Sequence, residues 1–437
     1  MSRLRVLILG PECNPDEVSI PLVTFSHAAA LAKLHEVTLV TRSRNEDGCR
    51  RAKAPFSRIE AIRTPLLDRI FSWGFRRIFK SNFDRQALTA FRYPFAIAFE
   101  WFAWRAFRGR IRSGEFDVVL RVAPMTPSIA SPFAFFLRKG PVPFVIGPLN
   151  GGLPWPSGFP QLQRQREWIS GLRNVYRYLP FARSTYSRAT AIIAASSQTF
   201  SEFAGYGDKV FFVPEPGIGL SVCSEDARKP QPGAKLDLIF VGALVPRKGC
   251  DLALRGAASV LHKGQAHFTV VGEGPERARL EQLCVSLGIE KAVSFSGWLD
   301  HAAVLSRMRE ADVMVFPTLR DNGAGVIFEA LASGSVPVVV DFGGPGDIVL
   351  PEVGYKIPLT NEEDMVLGIE KALSGLAANR ALLNRLRREG MAYAKECLTW
   401  DAKAQSTTRV LDWAVGRGPK PDLVPPKLLY LESATSV

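Results

Sequence analysis

Three absences frame this sequence. It has no Cys-x-x-Cys pair, no Asp-x-Asp pair, and no run of the roughly 18 uncharged apolar residues that a membrane-spanning helix needs. The six cysteines, Cys13, Cys49, Cys223, Cys250, Cys284 and Cys397, are scattered. That spacing fits neither a zinc site nor a disulfide framework and suits a reducing cytoplasm. The longest apolar stretch, 93–107, is short and is broken by Glu100 and Arg105. The opening "MSRLRVLILGPEC" is too short in its apolar run for a signal peptide and reads as a first β-strand. Without an Asp-x-Asp pair, no obvious acidic couple offers itself to a divalent metal.

The chain has 437 residues, 47% apolar and 22% charged, which is an ordinary globular composition too long for one core. The charge of +13 is unevenly spread. Residues 1–230 hold 32 Lys+Arg against 18 Asp+Glu, and the remainder holds 23 against 24. The first half therefore expects an anionic partner: a membrane surface, a nucleic acid or a phosphorylated acceptor. Two segments concentrate the effect. Residues 69–112 carry ten Arg/Lys and two acids among Phe and Trp, and residues 164–188 carry six Arg and one Glu. Basic helices with aromatic faces lie on anionic bilayers; the alternative places the aromatics in the domain core and the arginines in water.

Short apolar runs bounded by turn residues alternate with helical stretches twice over. Strands are expected at 5–10, 35–41, 116–122, 143–148 and 189–196, and again at 235–242, 267–272, 292–297, 311–318 and 336–342. Continuous apolar strands of this kind are buried on both faces, as in parallel sheets. The expected fold is α/β, with two Rossmann-like doubly wound domains. The expected divisions are an N-terminal domain 1–214, a Pro/Gly-rich linker 215–234, a C-terminal domain 235–398, a helix 399–416 and a flexible Pro-rich tail 417–437.

The stretch "DNGAGVIFEALASGSVPVVV" (321–340) holds the most pointed chemistry. Asp321 follows the carboxyl end of a strand, where open α/β sheets bind ligands. A helix expected to start near Val326 is apolar on every side, yet carries Glu329. A carboxylate there needs a partner. One reading is a salt bridge to a nearby Arg or Lys. The other is that Glu329 accepts hydrogen bonds from ligand hydroxyls, at about 1.5–3 kcal/mol each. A ribose diol offers two such donors, and the helix N-terminus between the two acids suits a phosphate. Sugar hydroxyls, phosphate and ribose would lie in one line, the outline of a nucleotide-sugar. In "GALVPRKGCDLAL" (242–254), Arg247 and Lys248 could neutralise a diphosphate, or could belong to a solvated basic turn. With no Asp-x-Asp pair, protein cations would replace a metal.

With those residues in place, the chain resembles the retaining glycosyltransferases of family 4, which have the GT-B fold. The likeness runs from "RVLILGPEC" to "LTWDAKAQ" (398–405). Its specific part is "VGALVPRKG", "VVGEGPERARLE", "VSFSGWL", "ADVMVFPT", the 321–329 motif and "GGPGDIV". The resemblance implies two domains facing a cleft, with the C-terminal helix returning to the first. It implies hexosyl transfer from a nucleoside diphosphate sugar, with no metal or other cofactor. In the family's E-x7-E pattern the first acid contacts the donor sugar and the second the ribose; here these are Asp321 and Glu329. Lys248 with Arg247 is implied as catalytic beside Asp321. Gly323, Ala324, Gly325, Val326, Gly272, Gly274, Trp298 and Leu299 are implied on the donor side. The acceptor side would hold His27, Arg121 and the glycines Gly151 and Gly152 of "GPLNGG".

The chain departs from the family at four places. Asp321 is one methylene shorter than the usual Glu, and Ala324 stands where a glycine is usual. Ala243 replaces an arginine whose work Arg247 could take, and Leu120, followed by Arg121, replaces a histidine. His27 reads as either a cleft residue or a satisfied structural histidine. The acceptor implied is a glycan or lipid-linked molecule in cell-surface synthesis, met at the inner face of the cytoplasmic membrane. Nucleic acid is not expected, since no RNA-binding module appears. A non-transferring sugar-nucleotide binder and a GT-B epimerase are the rivals.

Overall fold

The computed structural model describes residues 3–64, 85–138, 140–154, 156, 159, 179–224 and 235–426, with 85–91 as backbone only. They fall into two compact units. The first is Met1–Gly152, Arg166–Glu215 and Trp400–Pro425; the second is Leu153–Gln165, Pro216–Thr399 and Pro426–Val437.

In the first unit the strands are β1 (Arg5–Leu9), β2 (Glu36–Arg42), β3 (Arg58–Ile62), β4 (Val118–Arg121), β5 (Phe144–Leu149), β6 (Ala191–Ala194) and β7 (Val210–Phe212). They form one parallel sheet in the order β3-β2-β1-β4-β5-β6-β7. Every residue of β4, β5 and β6 is buried, which is why these strands read as unbroken apolar runs. Helices α1 (Ile20–Leu34) and α2 (Arg85–Arg112) belong here.

The second unit repeats the plan with β8 (Leu236–Val241), β9 (Ala266–Val271), β10 (Val293–Gly297), β11 (Val313–Phe316), β12 (Val336–Val340) and β13 (Tyr355–Ile357). Its order is β10-β9-β8-β11-β12-β13, again parallel throughout. The order reverses between β8 and β11, so a ligand crevice is expected outside their carboxyl ends. Helix α3 (His301–Glu310) precedes β11, and α4 (Gly325–Ser333) joins β11 to β12. The last helix, α5 (Trp400–Ala414), is part of the first unit and packs on α1.

Composition misjudged three boundaries. Residues 216–224, read as linker, pack into the second unit: the Ile218 N–H donates to the Leu398 carbonyl at 3.1 Å and that of Ser224 to Ala332 at 2.9 Å. Only 225–234 of that linker lies outside the described residues. Residues 417–425, read as flexible tail, lie on the first unit, where the Phe212 N–H donates to the Leu423 carbonyl at 2.7 Å. Leu153 and Phe159, assigned to the N-terminal domain, group with the second unit; Phe159 is buried in its core. Residues 65–84 and 160–178, which include much of both basic-aromatic segments, lie outside the described residues, as does 427–437. No described helix is long and apolar enough to cross a membrane.

Candidate functional site

The site grows from the carboxyl ends of β8, β11 and β12. After β8 the chain turns through Pro246–Lys248 into Gly249, whose φ of +69° is left-handed. A β-carbon there would sit 2.3 Å from the Pro317 carbonyl oxygen, so only glycine lets this turn dock on the end of β11. Docking is completed by Leu319 N–H and Thr318 Oγ1, which donate to the Arg247 carbonyl at 2.9 and 3.2 Å. Lys248 is thereby delivered to Asp321: its Nζ pairs with Oδ2, over the Phe316 ring at 4.8 Å. Both side chains are mostly shielded.

Asp321 also shapes the helix entry. Its Oδ1 accepts the Ala324 N–H at 3.2 Å. Ala324, at the N-cap of α4, has φ +44° and ψ +43°. An alanine in the left-handed region costs roughly 1–2 kcal/mol, which marks a turn held by its surroundings. The loop after β12 locks it from the other side: the Gly344 N–H donates to the Asp321 carbonyl at 3.0 Å, and a β-carbon on Gly344 would strike the Asn322 carbonyl at 2.1 Å. The first turn of α4, with the N–H groups of Gly325 and Val326, follows directly. Arg247 Nη1 donates to the Arg320 carbonyl at 3.4 Å, so part of its guanidinium is engaged with backbone.

Glu329 lies on α4, with Ile327, Phe328, Ala330 and Leu331 all buried around it. Its partner is neither Arg nor Lys. Nε2 of His301, the first residue of α3, is 2.9 Å from Glu329 Oε1. His301 was not singled out from sequence, where nothing joins two residues on successive strand–helix junctions. Gly272 and Gly274 pass so close to the turn after β8 that β-carbons would meet the Gly242 and Leu244 carbonyls at 2.0 and 2.3 Å. Their need for glycine is met by this close backbone packing. Trp298 stands 76% exposed on the loop after β10, while Leu299 packs on the core. Lys248, Asp321, Ala324 and Gly325 are thus brought together, with Arg247 and Glu329 on the same elements. No described group of three or more His, Cys, Asp or Glu could hold a metal ion.

Two of the residues implied on the acceptor side, His27 and Arg121, are buried in the first unit, and for His27 the structural reading is the one that fits. His27 is fully buried, and its Nε2 is 3.0 Å from Thr407 Oγ1 of α5. Burial, aided by nearby Lys403, holds its imidazole well below the usual histidine range, so it is a neutral structural group. Arg121 is 1% exposed; its Nε lies 3.0 Å from Glu100 Oε1 of α2, and its Nη2 donates to the Ile129 carbonyl at 3.0 Å. It has no surface to offer a ligand. Gly151 donates its N–H to Thr199 Oγ1 at 2.8 Å, and a β-carbon there would be 3.0 Å from that oxygen; Gly152 is exposed. Beside them Asn150 Nδ2 donates to Glu215, whose backbone carbonyl accepts from Lys403. Burial pushes the Lys403 ammonium down to about 7.

Residues 224–390 match the model of the family described as glycosyl transferases group 1. That match lies within the second unit and takes in Lys248, Asp321 and Glu329. Curated relatives of the chain include an uncharacterised glycosyltransferase of Methanocaldococcus jannaschii, 29% identical over 174 residues, 40% of this chain and 44% of that protein. Another is the glycogen synthase of Mycobacterium tuberculosis, 26% identical over 251 residues, 56% of this chain and 59% of that protein. The chain spans about half the length of these relatives. Among solved structures, Anabaena HepE in complex with UDP superposes with a TM-score of 0.60 at 14% identity, covering 94% of this chain and all of that one. The lipopolysaccharide outer core galactosyltransferase WaaB does so at 0.60 and 12%, covering 93% and 99%. At such identities the likeness shows the fold, the pair of Rossmann-like domains of GT-B glycosyltransferases.

Proposed function

We propose that this protein is a retaining glycosyltransferase that moves a hexosyl group from a nucleoside diphosphate sugar to a glycan or lipid-linked acceptor without a metal. The observation that carries the reading is the Lys248–Asp321 pair at the N-terminus of α4, with Glu329 on the same helix. Each group has one task. Asp321 accepts hydrogen bonds from donor-sugar hydroxyls. The free N–H groups of Gly325 and Val326 and the positive end of α4 meet the phosphates. Lys248 is shared between Asp321 and the diphosphate and stabilises the negative charge that grows as the glycosidic bond breaks. Glu329 takes the ribose diol. Neighbouring structures solved with UDP, with UDP and glucose, and with UDP-glucose support a donor of this class.

Retention follows from same-face displacement, with the leaving phosphate taking the acceptor proton, and it needs no protein base. The test is turnover in EDTA, with the anomeric configuration of the product read by NMR. Retention with an unchanged rate is expected; inversion, or loss of activity restored by a divalent cation, would overturn the mechanism.

Attachment to an anionic membrane belongs to the same proposal. Helix α2 buries Phe99 and Phe107 but leaves Trp101 and Phe102 46% and 43% exposed, beside a groove lined by Tyr93, Pro94, Ile97 and Leu179. At helical spacing Arg105, Arg108 and Arg112 share that face and are exposed. An apolar patch with a basic stripe fits the boundary between headgroups and acyl chains. Each cation near such a surface contributes about 1 kcal/mol. Reversing all three charges should abolish co-sedimentation with phosphatidylglycerol vesicles; unchanged binding would contradict the assignment.

A further inference from the structure

We infer that His301 is a positioning residue for the donor nucleotide: it fixes the Glu329 carboxylate in the orientation that receives the two ribose hydroxyls. The inference rests on the reading of Glu329 given above and adds a group that neither the family motif nor the sequence singled out. Glu329 needs such a partner, because its helix surrounds it with apolar side chains that fix the backbone but leave the carboxylate free to rotate. His301 supplies the missing constraint at 2.9 Å. An ionised carboxylate has no proton to give, so the hydrogen in this bond sits on His301 Nε2 and the imidazole is the donor. That uses one lone pair of Oε1. The other pair of Oε1 and both of Oε2 remain, enough to accept from a vicinal diol.

The backbone that carries His301 is itself held. His301 is the first residue of α3, directly after Asp300, whose Oδ1 accepts the Ala303 N–H at 2.8 Å and caps the helix. The His301 side chain is 66% exposed, against 22% for Glu329. A histidine so exposed contributes little to the core, so removing it should leave the fold intact. The arrangement is a donor on a capped helix end, reaching across to the only acid on α4.

The experiment separates positioning from bulk stability by changing the ligand as well as the protein. UDP, GDP and ADP, each with its 2′,3′-dideoxy counterpart, are titrated against wild type, Glu329→Ala, His301→Ala and His301→Gln. Wild type should prefer the ribose form of the nucleotide it binds by at least about tenfold, the worth of one hydrogen bond to a charged acceptor. Glu329→Ala should erase that preference. His301→Ala should weaken the ribose form by about fivefold, the scale of one net hydrogen bond, while leaving the dideoxy form unchanged. Glutamine, which keeps an N–H donor, should recover affinity to within about twofold. If wild type and Glu329→Ala behave as stated but His301→Ala matches wild type, the role of His301 is refuted and that of Glu329 stands. Equal loss for ribose and dideoxy forms in His301→Ala would make the histidine a structural element. If wild type shows no ribose preference, or binds no nucleotide, the Glu329 reading fails and takes this inference with it.

Discussion

Lys248→Ala should lower kcat by about 100- to 1,000-fold, the effect of deleting one preorganised stabiliser of developing charge. The size follows from where Lys248 sits. Its ammonium is largely shielded, paired with Asp321 and held over the Phe316 ring, so it acts in a medium where charge interactions are stronger than in water. Removing it leaves Asp321 facing the phosphates as an uncompensated negative charge, which opposes the donor twice over. The fold should survive, because the turn that carries Lys248 is fixed by backbone bonds to Leu319 and by Gly249. Lys248→Arg, which keeps the charge in a different shape, should fall between the two. The check is kcat beside a melting curve. A loss of stability with kcat reduced less than about threefold would reassign Lys248 as a structural partner of Asp321.

The second large effect is on stability. Arg121→Ala should cost about 3–5 kcal/mol, because it strands a buried carboxylate. Glu100 is 2% exposed and otherwise bonded to Ser131; burial already pushes its carboxyl upward despite the arginine beside it. The double replacement Arg121→Met with Glu100→Leu should recover most of the loss, since an apolar pair of similar volume avoids desolvating two charges. Urea midpoints for the two proteins decide it. Nucleotide affinity should change by less than about twofold, because the residues proposed to hold the donor are all on the second unit. A stable Arg121→Ala protein that has lost turnover would restore the acceptor-side role.

These two residues show where the sequence is transparent and where it is not. Strands such as "VPVVV" are legible because a parallel strand covered on both faces has no polar position to spare. The 321–329 segment is legible because an acid on an all-apolar helix demands an explanation. His27 and Arg121 are opaque for the opposite reason. What buries them is α5, reached 380 positions away at Thr407, and α2, whose Glu100 points inward against an otherwise arginine-rich helix. No local pattern encodes either contact. The partner of Glu329 is hidden in the same way: where the salt-bridge reading offers an Arg or Lys, the structure has a histidine from another helix start. The Pro/Gly content of 215–234 reads as linker and the prolines after 416 as loose tail, yet Ile218 and Leu423 pair through their backbones with distant segments. Proline counts report local stiffness and say nothing about what a segment lies against.

The most direct measurement is calorimetric titration of UDP, GDP and ADP into wild type and Glu329→Ala. The account predicts that one nucleotide binds wild type at micromolar strength and that the variant loses at least tenfold, about 1.4 kcal/mol. If no nucleotide binds, or if the variant binds as tightly as wild type, Glu329 is no more than a structural partner of His301 and the donor site proposed on α4 is wrong.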